Sequence, residues 1–460
     1  MIQADATGKH GVSLKSLTLG EDVGAKQKKA VYAVTVETLK YYTVLAGVVE
    51  GVKQKNNKQR GCKSDTLGRL SMPTACVLAR ELLLSDGFSE RYVGPAERII
   101  LDNEVALRAG LAAVVEARGG KEMLLPRNAM MAAAGARKRT VRVNAPLVAG
   151  SVEEVLGALR EEFGGAVCRN AYVGDVLELP AGSDLHAHRM VKDGRVVLQS
   201  LASCMPAVAL MEGCPLVGVG GGAGGWTVVD ACAAPGNKTT HVASLMAQRG
   251  GNDGGAYRVY AFDRDPVRLE RLKGNVDKTQ SGGIVTAMCA DFLRVDPGVA
   301  PYDQVDAVLL DPSCSGSGTS GSRMDYLLPS AQEVAARGVM YTDERVEQLS
   351  AFQVSAILHA MSFPNVTRLV YSTCSVYVEE NERVVARVMA AGRTAGFELV
   401  ACIPTWPRRG LSVREDGCDA LSEADAAKVV RVDPLEDGTD GFFVCAWARD
   451  ISHGILNDER

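Results

Sequence analysis

From Trp226 onward, short apolar segments typical of β-strands alternate with longer segments typical of α-helices. The predicted parallel strands are Trp226–Asp230, Val259–Asp263, Ile284–Met288, Ala307–Leu310 and Leu369–Ser372. The predicted helices are Thr239–Gln248, Pro266–Lys278, Glu344–Met361 and Glu380–Ala391. Phe442–Trp447 would add a last, antiparallel strand. Such alternation predicts an α/β fold with a doubly wound, mostly parallel sheet, in which ligands bind beyond the carboxyl ends of the strands.

The residues before this alternation predict smaller modules. They divide into a polar tail over residues 1–29, a helical module over 30–120 and a small mixed α+β module over 121–200. Helical spacing covers residues 30–52, a segment that starts at Ser71-Met-Pro73, and residues 97–118. The mixed module contains strand patterns at 141–144, 172–179 and 195–199 and a helical pattern at 152–163. Residues 201–450 would then form the α/β domain and 451–460 a second tail.

Three local stretches have competing interpretations. The glycine-rich run from Gly218 to Gly225 precedes a strand, whereas a dinucleotide fingerprint follows one, so we interpret it as a flexible linker. A lysine-rich stretch in the helical module is either a solvated loop or a phosphate contact; it contains Lys53, Lys55, Lys58, Arg60 and Lys63. A second basic cluster makes the mixed module locally basic; it consists of Arg137, Lys138, Arg139 and Arg142.

Charge and composition limit the classes of function. The formal net charge of the 460 residues is -4, whereas a general nucleic-acid binder is usually basic, so any RNA site must be a local patch. The first thirty residues lack the apolar core of a signal peptide, and no stretch reaches about eighteen consecutive apolar residues. We therefore expect a cytosolic or nuclear protein that does not bind membranes. The twelve cysteines form no CxxC pair, so we expect no metal site, no disulfide framework, and mostly buried free thiols.

Small residues and carboxylates follow the first three predicted strands of the α/β domain. The run Asp230-Ala-Cys-Ala-Ala-Pro-Gly-Asn-Lys-Thr-Thr240 lets the backbone pass close to a ligand, and the helix after it offers free amide donors. Asp263 suits the hydroxyls of a ribose, Arg268 follows one turn later, and Asp291 can accept from an adenine amino group. Each has an ordinary structural explanation, but together they predict an adenosine pocket. The absence of a Walker lysine motif argues against a phosphate-bearing nucleotide.

Two cysteines follow the fourth and fifth strands. Cys314 lies in Asp311-Pro-Ser-Cys-Ser-Gly-Ser-Gly318 and Cys374 in Tyr371-Ser-Thr-Cys-Ser375. A structural thiol normally lies in a core, whereas a thiol in a Ser/Gly loop is accessible and its reactivity can be tuned. We therefore predict functional roles for Cys374 and Cys314.

The three motifs resemble the signature motifs of the Nol/Nop/Sun family of RNA (cytosine-5) methyltransferases. They are the runs at residues 230–239, 310–318 and 371–375. The resemblance extends from about residue 121 to the end of the chain and, more weakly, over the helical module. It implies a class I, Rossmann-like methyltransferase domain with a seven-stranded, mostly parallel sheet, and S-adenosyl-L-methionine as the cofactor.

Several stretches resemble the branch of the family that acts on large-subunit ribosomal RNA. They are Ser313 where most of the family has a second proline, Asn237 where most has glycine, Asp184-Leu-His186, Leu198–Cys204, Trp406–Ser412 and Gly441-Phe-Phe443. The branch implies large-subunit rRNA or a preribosomal particle as the partner and a nuclear, nucleolar location. We also expect a monomer.

The resemblance assigns roles to individual residues. It implies that S-adenosylmethionine is bound by Cys232, Ala233, Ala234, Pro235, Gly236, Asn237, Lys238, Asp263, Arg268, Asp291 and Asp311. It also implies that Cys374 is the nucleophile and that Cys314 helps to release the product. The two cysteines are 374 − 314 = 60 residues apart, which leaves room for the loop and helix that the family places between them. Residues 319–338 resemble a family-variable loop that gates the RNA.

The expected mechanism follows from the chemistry of cytosine. Carbon 5 is too electron-poor to attack a sulfonium methyl group, but a Cys374 thiolate that adds to carbon 6 makes carbon 5 enamine-like. We predict that Asp311, neutral or sharing a proton, forms a hydrogen bond with ring nitrogen 3. After loss of the carbon 5 proton, elimination expels Cys374 with the help of Cys314. Single-stranded RNA is the easier substrate because the base must leave any stack.

Other functions compete with this prediction. A non-catalytic RNA-binding ribosome-assembly factor with a methyltransferase fold is the main alternative, but every motif residue that the chemistry needs is present. A DNA cytosine-5 methyltransferase attacks with the cysteine of a Pro-Cys motif, whereas this position reads Ser313-Cys314 and a Thr-Cys-Ser motif supplies another thiol. A small-molecule methyltransferase would need neither cysteine.

Overall fold

A computed structural model describes most of the chain. It covers residues 26–58, 66–88, 93–118, 137–148, 151–214, 225–249, 257–319, 343–415 and 418–450, with Leu14, Thr18, Gly24 and Leu327 described singly. Several predictions lie outside the described residues: most of the first tail, the second tail, the linker at 218–224, Arg60, Lys63 and nearly all of the loop at 319–338. The chain forms two compact units, residues 1–132 with 320–341, and residues 133–319 with 342–460.

The first unit contains five helices in its described part. They are α1 (Lys28–Lys40), α2 (Tyr42–Lys58), α3 (Met72–Leu84), α4 (Pro95–Asp102) and α5 (Glu104–Arg118). The helix α3 begins as predicted, since the Ser71 hydroxyl accepts a hydrogen bond from the Thr74 amide at 3.3 Å. The single helices predicted at 30–52 and 97–118 are each two helices, interrupted at Tyr41 and Asn103. Apolar spacing continues across these one-residue breaks, so the pattern does not locate them.

The second unit begins with a four-stranded antiparallel sheet in the order β2-β3-β1-β4. Its elements are β1 (Arg139–Val143), α6 (Val152–Phe163), β2 (Cys168–Arg169), β3 (Val176–Leu179), α7 (Arg189–Lys192) and β4 (Val196–Leu198). The strand predicted from residue 172 starts only at Val176. The residues before it form a turn, in which Asn170 Oδ1 accepts hydrogen bonds from the amides of Tyr172 and Val173 at 2.9 Å each.

The helix α8 (Leu201–Met211) was not predicted. Nine of its eleven residues are buried, so it lacks the polar face on which an amphipathic pattern depends. It contains Pro206 in its interior, a residue that argues against a helix in sequence-based prediction.

The main sheet has the predicted doubly wound topology. Its strands are β5 (Trp226–Asp230), β6 (Tyr257–Asp263), β7 (Val285–Cys289), β8 (Ala307–Leu310), β9 (Arg368–Thr373), β10 (Phe397–Val400), β13 (Val430–Val432) and β14 (Phe442–Arg449). Seven strands follow the order β10-β14-β9-β8-β5-β6-β7, and β13 pairs with β14. Strands β5 to β9 are parallel, and β14 is antiparallel to its neighbours. This is a class I, Rossmann-like methyltransferase sheet, as expected.

Helices and a small hairpin surround this sheet. They are α9 (Asn237–Gln248), α10 (Pro266–Lys278), α11 (Asp343–Met361), α12 (Glu382–Thr394) and α13 (Glu423–Ala426), with the hairpin strands β11 (Val413–Glu415) and β12 (Cys418–Leu421). Strands β8 and β9 are buried along their whole length, which explains their uninterrupted apolar sequences. Within the described ranges, every helix is too short or too polar to cross a membrane.

Candidate active site

The loop between β5 and α9 is fixed to the end of the neighbouring strand β6. The Ala233 amide donates to the Phe262 carbonyl at 2.8 Å, and the Ala234 amide donates to Asp263 Oδ2 at 3.3 Å. Gly236 has φ +103°, and a Cβ atom there would lie 2.6 Å from the Leu272 side chain. Only glycine suits this position, because it combines a left-handed backbone with close packing against α10.

The carboxylate of Asp263 lies at the carboxyl end of β6 and is nearly buried, with 5% of the residue exposed. Its Oδ1 accepts a hydrogen bond from the Asp265 amide at 3.0 Å, and its Oδ2 lies 3.4 Å from the Arg268 guanidinium. Arg268 also donates to the Ala234 carbonyl at 2.7 Å. Three residues predicted to bind the cofactor are therefore connected directly.

Asp291 lies two residues beyond the end of β7, whose last residue, Cys289, is the register partner of Asp263. Asp291 Oδ1 accepts a hydrogen bond from the Leu293 amide at 3.1 Å, and the Asp291 side chain remains partly exposed. The parallel register thus places this carboxylate at the same edge of the sheet as Asp263.

Asp311 is held by two partners at the end of β8. Its Oδ2 lies 2.6 Å from Lys238 Nζ, and its Oδ1 accepts a hydrogen bond from the Ser372 hydroxyl at 2.8 Å. Lys238 also donates to the Ser203 hydroxyl at 3.2 Å and lies over the Phe442 ring. Burial by itself would lower the pKa of Lys238, but the charge of Asp311 and their hydrogen bond outweigh it and raise the pKa. The ammonium therefore stays protonated, and its ion pair links the start of α9 to Asp311, the first residue after β8.

The two predicted cysteines lie side by side. Cys314 Sγ and Cys374 Sγ are 3.3 Å apart, because Leu310 of β8 and Tyr371 of β9 are register partners in parallel strands. The hydrogen bond with Cys374 and burial raise the pKa of the Cys314 thiol well above its usual value. Cys314 thus favours the protonated thiol, which can donate to a thiolate at Cys374.

A close backbone approach holds the Cys314 loop against the start of β14. The Gly441 amide donates to the Gly318 carbonyl at 2.9 Å, and the Gly318 amide donates to the Cys374 carbonyl at 3.0 Å. A Cβ atom on Gly318 would overlap the Gly441 carbonyl group, and one on Gly441 would lie 2.6 Å from the Val376 side chain. Both glycines are needed because backbone meets backbone at this point.

The remaining described cysteines only partly follow the expectation of buried thiols. Five are buried: Cys76, Cys204, Cys214, Cys402 and Cys445. Cys289 is exposed, and Cys168 is intermediate, as are Cys232, Cys314 and Cys374. Burial raises the pKa of the Cys232 thiol, so this cysteine favours the unreactive thiol form although it lies in the cofactor loop.

Several contacts at the site were not predicted from the sequence. Lys238 was assigned only to cofactor binding, and its ion pair with Asp311 joins residues that no local motif connects. The partnership of Ser372 with Asp311 was also missed, although Ser372 lies inside the quoted Tyr371–Ser375 motif. Arg142 was counted in a basic cluster, but it is fully buried and donates to Gln199 Oε1 at 3.0 Å, so it is not available to bind phosphate.

The amino-acid sequence of the chain is similar to those of known rRNA methyltransferases. The family model described as 16S rRNA methyltransferase RsmB/F matches residues 223–448. The 25S rRNA (cytosine-C(5))-methyltransferase NSUN5 of Arabidopsis thaliana is 35% identical over 98% of this chain and 71% of its own length. The 28S rRNA (cytosine-C(5))-methyltransferase of Mus musculus is 32% identical over 95% of this chain and 87% of its own length.

A solved structure supports the fold alone. A methyltransferase homolog protein from Pyrococcus horikoshii has a TM-score of 0.52 and 24% sequence identity to this chain. The match covers 78% of this chain and 100% of that protein.

Proposed function

The chain belongs to the family of rRNA (cytosine-C(5))-methyltransferases, and from this premise we propose the reaction and the roles of its residues. It transfers the methyl group of S-adenosyl-L-methionine to carbon 5 of a cytosine in large-subunit ribosomal RNA. Cys374 is the covalent nucleophile and Cys314 assists product release. The observation that carries this assignment is the pair of thiols 3.3 Å apart at the ends of two neighbouring parallel strands.

The residues at the strand ends fit S-adenosylmethionine. The carboxylates of Asp263 and Asp291 suit ribose hydroxyls and an adenine amino group, and the small residues of the Cys232–Gly236 loop let the backbone approach a ligand closely. Lys238 is paired with Asp311 and therefore does not serve as a phosphate ligand. This pairing suits a nucleoside cofactor without phosphates. When bound, the cofactor supplies an electrophilic methyl group.

Cys374 begins the reaction as a thiolate. Its sulfur forms a bond to carbon 6 of the cytosine, which makes carbon 5 electron-rich. The negative charge that develops on the ring is neutralised by a proton at nitrogen 3. Asp311, neutral or sharing a proton, is our candidate for the hydrogen bond to nitrogen 3, and its Oδ2 lies 2.6 Å from Lys238 Nζ.

Cys314 acts in the second half of the reaction. Once carbon 5 has received the methyl group, nitrogen 3 returns its proton to Asp311 or to solvent. A water molecule or hydroxide takes the carbon 5 proton, the electron pair of that bond forms the double bond between carbons 5 and 6, and the bond between carbon 6 and sulfur breaks with its electron pair on Cys374. Because Cys314 favours the thiol form and lies 3.3 Å from the departing sulfur, it can donate a hydrogen bond or a proton to that sulfur. The leaving thiolate is thereby stabilised as the double bond of the ring is restored.

The RNA is held by the modules that precede the α/β domain, with boundaries at 30–120 and 121–200. In the mixed module the exposed cations Lys138, just before β1, and Arg139, its first residue, are candidates for phosphate contacts, although Lys138 also pairs with Glu178 at 2.6 Å. The substrate is the large-subunit rRNA, free or within a preribosomal particle. Action on nascent rRNA would place the protein, as a monomer, in the nucleolus.

Trapping of the covalent intermediate tests this assignment. Cys314→Ala incubated with cofactor and in vitro transcribed large-subunit rRNA should accumulate a protein–RNA complex that survives a denaturing gel. The complex should disappear when Cys374 is also replaced, because the attacking sulfur is gone. Cys289→Ala is the matched control, since this exposed cysteine has no place in the mechanism and should leave methylation unchanged.

Two outcomes would overturn the proposal. Normal methylation of RNA by Cys374→Ala would exclude this cysteine as the nucleophile. RNA binding by the wild-type protein without 5-methylcytosine, measured by mass spectrometry of digested RNA, would favour the ribosome-assembly factor instead.

A further inference from the structure

One acidic side chain and one amide side chain are fully buried just after the Cys374 loop. Glu380 and Asn381 are both 0% exposed, and they end a short turn between Cys374 and α12. Glutamate is almost never fully buried without specific partners, because its desolvation is unfavourable. The partners of these two residues therefore indicate what the burial achieves.

The Glu380 side chain holds the Cys314 loop. Its Oε1 accepts hydrogen bonds from the Ser315 amide at 2.9 Å and from Gln353 Nε2 at 3.1 Å. The same Gln353 nitrogen also donates to the Ser313 carbonyl at 3.1 Å. The residues on both sides of Cys314 are thus fixed, one directly by Glu380 and the other through Gln353.

The Asn381 side chain holds the Cys374 loop in the same way. Its Oδ1 accepts a hydrogen bond from the Thr373 hydroxyl at 2.6 Å, and its Nδ2 donates to the Ser375 carbonyl at 3.0 Å. These contacts again fall on the two residues that flank a cysteine. Glu380 and Asn381 are consecutive, so one short segment holds both loops, each through a separate side chain.

The turn is itself anchored to the sheet. The Tyr371 hydroxyl of β9 contacts Gln353 Oε1 at 3.0 Å and the Glu380 carbonyl at 2.5 Å. Two hydroxyls also join the loops directly, since Ser315 Oγ and Ser375 Oγ, each next to a cysteine in sequence, are 3.1 Å apart. A buried network that only stabilised the fold would not need to contact the neighbours of both cysteines on each side.

We propose that Glu380 and Asn381 form a two-armed brace of positioning residues, in which Glu380 sets the place of Cys314 and Asn381 sets the place of Cys374. The inference rests on the proposed function, in which the two thiols act in different half-reactions. Neither brace residue touches the substrate. Damage to one arm should therefore impair mainly one half-reaction, which a general loss of stability would not do.

The test measures the two half-reactions separately in the full chain. Glu380→Ala and Asn381→Ala are compared in single-turnover assays with S-adenosylmethionine and in vitro transcribed large-subunit rRNA. Glu380→Ala should slow product release about 10- to 100-fold and accumulate the covalent complex, as Cys314→Ala does. Asn381→Ala should slow formation of the complex by a similar factor without accumulation. The KM for the cofactor should change in neither variant.

Two further variants separate positioning from charge and from folding. Glu380→Gln keeps an acceptor oxygen for Ser315 and Gln353 and should restore release to within about threefold of the wild-type rate. Glu379→Gln is the matched surface control, because Glu379 lies in the same turn but its described ion pair is the exposed one with Arg383, and it should behave as wild type. If Glu380→Ala does not fold, Glu380→Asp takes its place. This variant shortens the side chain by one methylene and should also slow product release and accumulate the covalent complex.

The brace is refuted if Glu380 and Asn381 variants change the two half-reactions alike, or if they lower the melting temperature without changing the partition between complex and product. It is also refuted if Glu380→Gln fails to restore release. Failure of the proposed function gives a different result, because Cys314→Ala would then trap no complex in the same assay.

Discussion

Removing one partner of the buried ion pair between Glu382 and Arg431 should measurably destabilise the second unit. Glu382 is 0% exposed at the start of α12, and Arg431 lies on β13. The pairing is bidentate, with Arg431 Nε at 2.9 Å from Glu382 Oε1 and Nη2 at 2.8 Å from Oε2. The third guanidinium nitrogen donates to the Val376 carbonyl at 2.9 Å, two residues beyond Cys374.

Arg431→Met would break this pair while keeping most of the apolar stem. Glu382 would then retain only the Leu411 amide as a described donor, at 3.1 Å. Removal of one partner of a buried pair costs about 3–5 kcal/mol, because the other charge stays buried without compensation. At about 2 °C per kcal/mol for a unit of this size, the melting temperature should fall by roughly 6–10 °C. Glu382→Leu combined with Arg431→Met should recover much of the loss, since no charge is then stranded.

Thermal unfolding followed by near-UV circular dichroism measures these shifts. The matched control is Arg383→Met, which breaks the exposed pair with Glu379, whose side chains are each 42% exposed. Exposed pairs contribute about 0–1 kcal/mol, so this control should change the melting temperature by about 2 °C or less. The reasoning is wrong if Arg431→Met is no worse than the control, or if the double variant loses as much as the two single changes added together.

Three further predictions concern the strand ends. Asp263→Ala should weaken binding of S-adenosylhomocysteine about 10- to 100-fold in calorimetry, since a hydrogen bond to a charged group contributes about 1.5–3 kcal/mol; unchanged affinity would exclude Asp263 from the site. Burial raises the pKa of Asp230 to about 7. Its stabilising contribution is therefore present below its unfolded pKa and is lost as pH rises through about 7. The melting temperature of Asp230→Asn should rise relative to that of the wild type between pH 5 and pH 8, and a difference in melting temperature that does not change with pH would contradict this. Cys314 should react slowly with iodoacetamide at pH 9 and faster in Cys374→Ala, because its hydrogen bond with Cys374 is the largest cause of its raised pKa. Equal rates of modification in site-resolved mass spectrometry would show that this cause is wrong.

The centre of the parallel sheet was predictable because β8 and β9 are buried on both faces. Ala307–Leu310 is buried at every position, and its predicted and observed bounds are identical. The helix Pro266–Lys278 also matches, since proline in the first turn and a regular apolar stripe define it. The short strands β10 to β13 and the apolar helix α8 carry no such signals, because three or four residues show no period and a helix buried on all sides shows no face.

In the candidate site, only the residues that come directly after a strand could be predicted from the sequence. The positions of Cys314 and Cys374 after β8 and β9 follow from the parallel alternation, because neighbouring parallel strands end at one edge. The partners of these residues come from elsewhere in the chain. Gln353 lies on the buried face of α11, and Lys238 lies at the start of α9, so no spacing rule connects them with Ser313 or Asp311. Such contacts depend on tertiary packing, which a one-dimensional pattern does not contain.

The different roles proposed for two chemically identical thiols arise from their surroundings. Cys314 lies between residues held by Glu380 and Gln353. Its hydrogen bond with Cys374, its burial and the nearby carboxylates raise its pKa and favour the protonated form. A thiol in that state is a poor nucleophile but a good hydrogen-bond donor to a departing thiolate. The same reasoning explains why a buried glutamate is acceptable here: its charge disfavours a second thiolate beside the first, and its oxygen fixes the loop that carries the thiol.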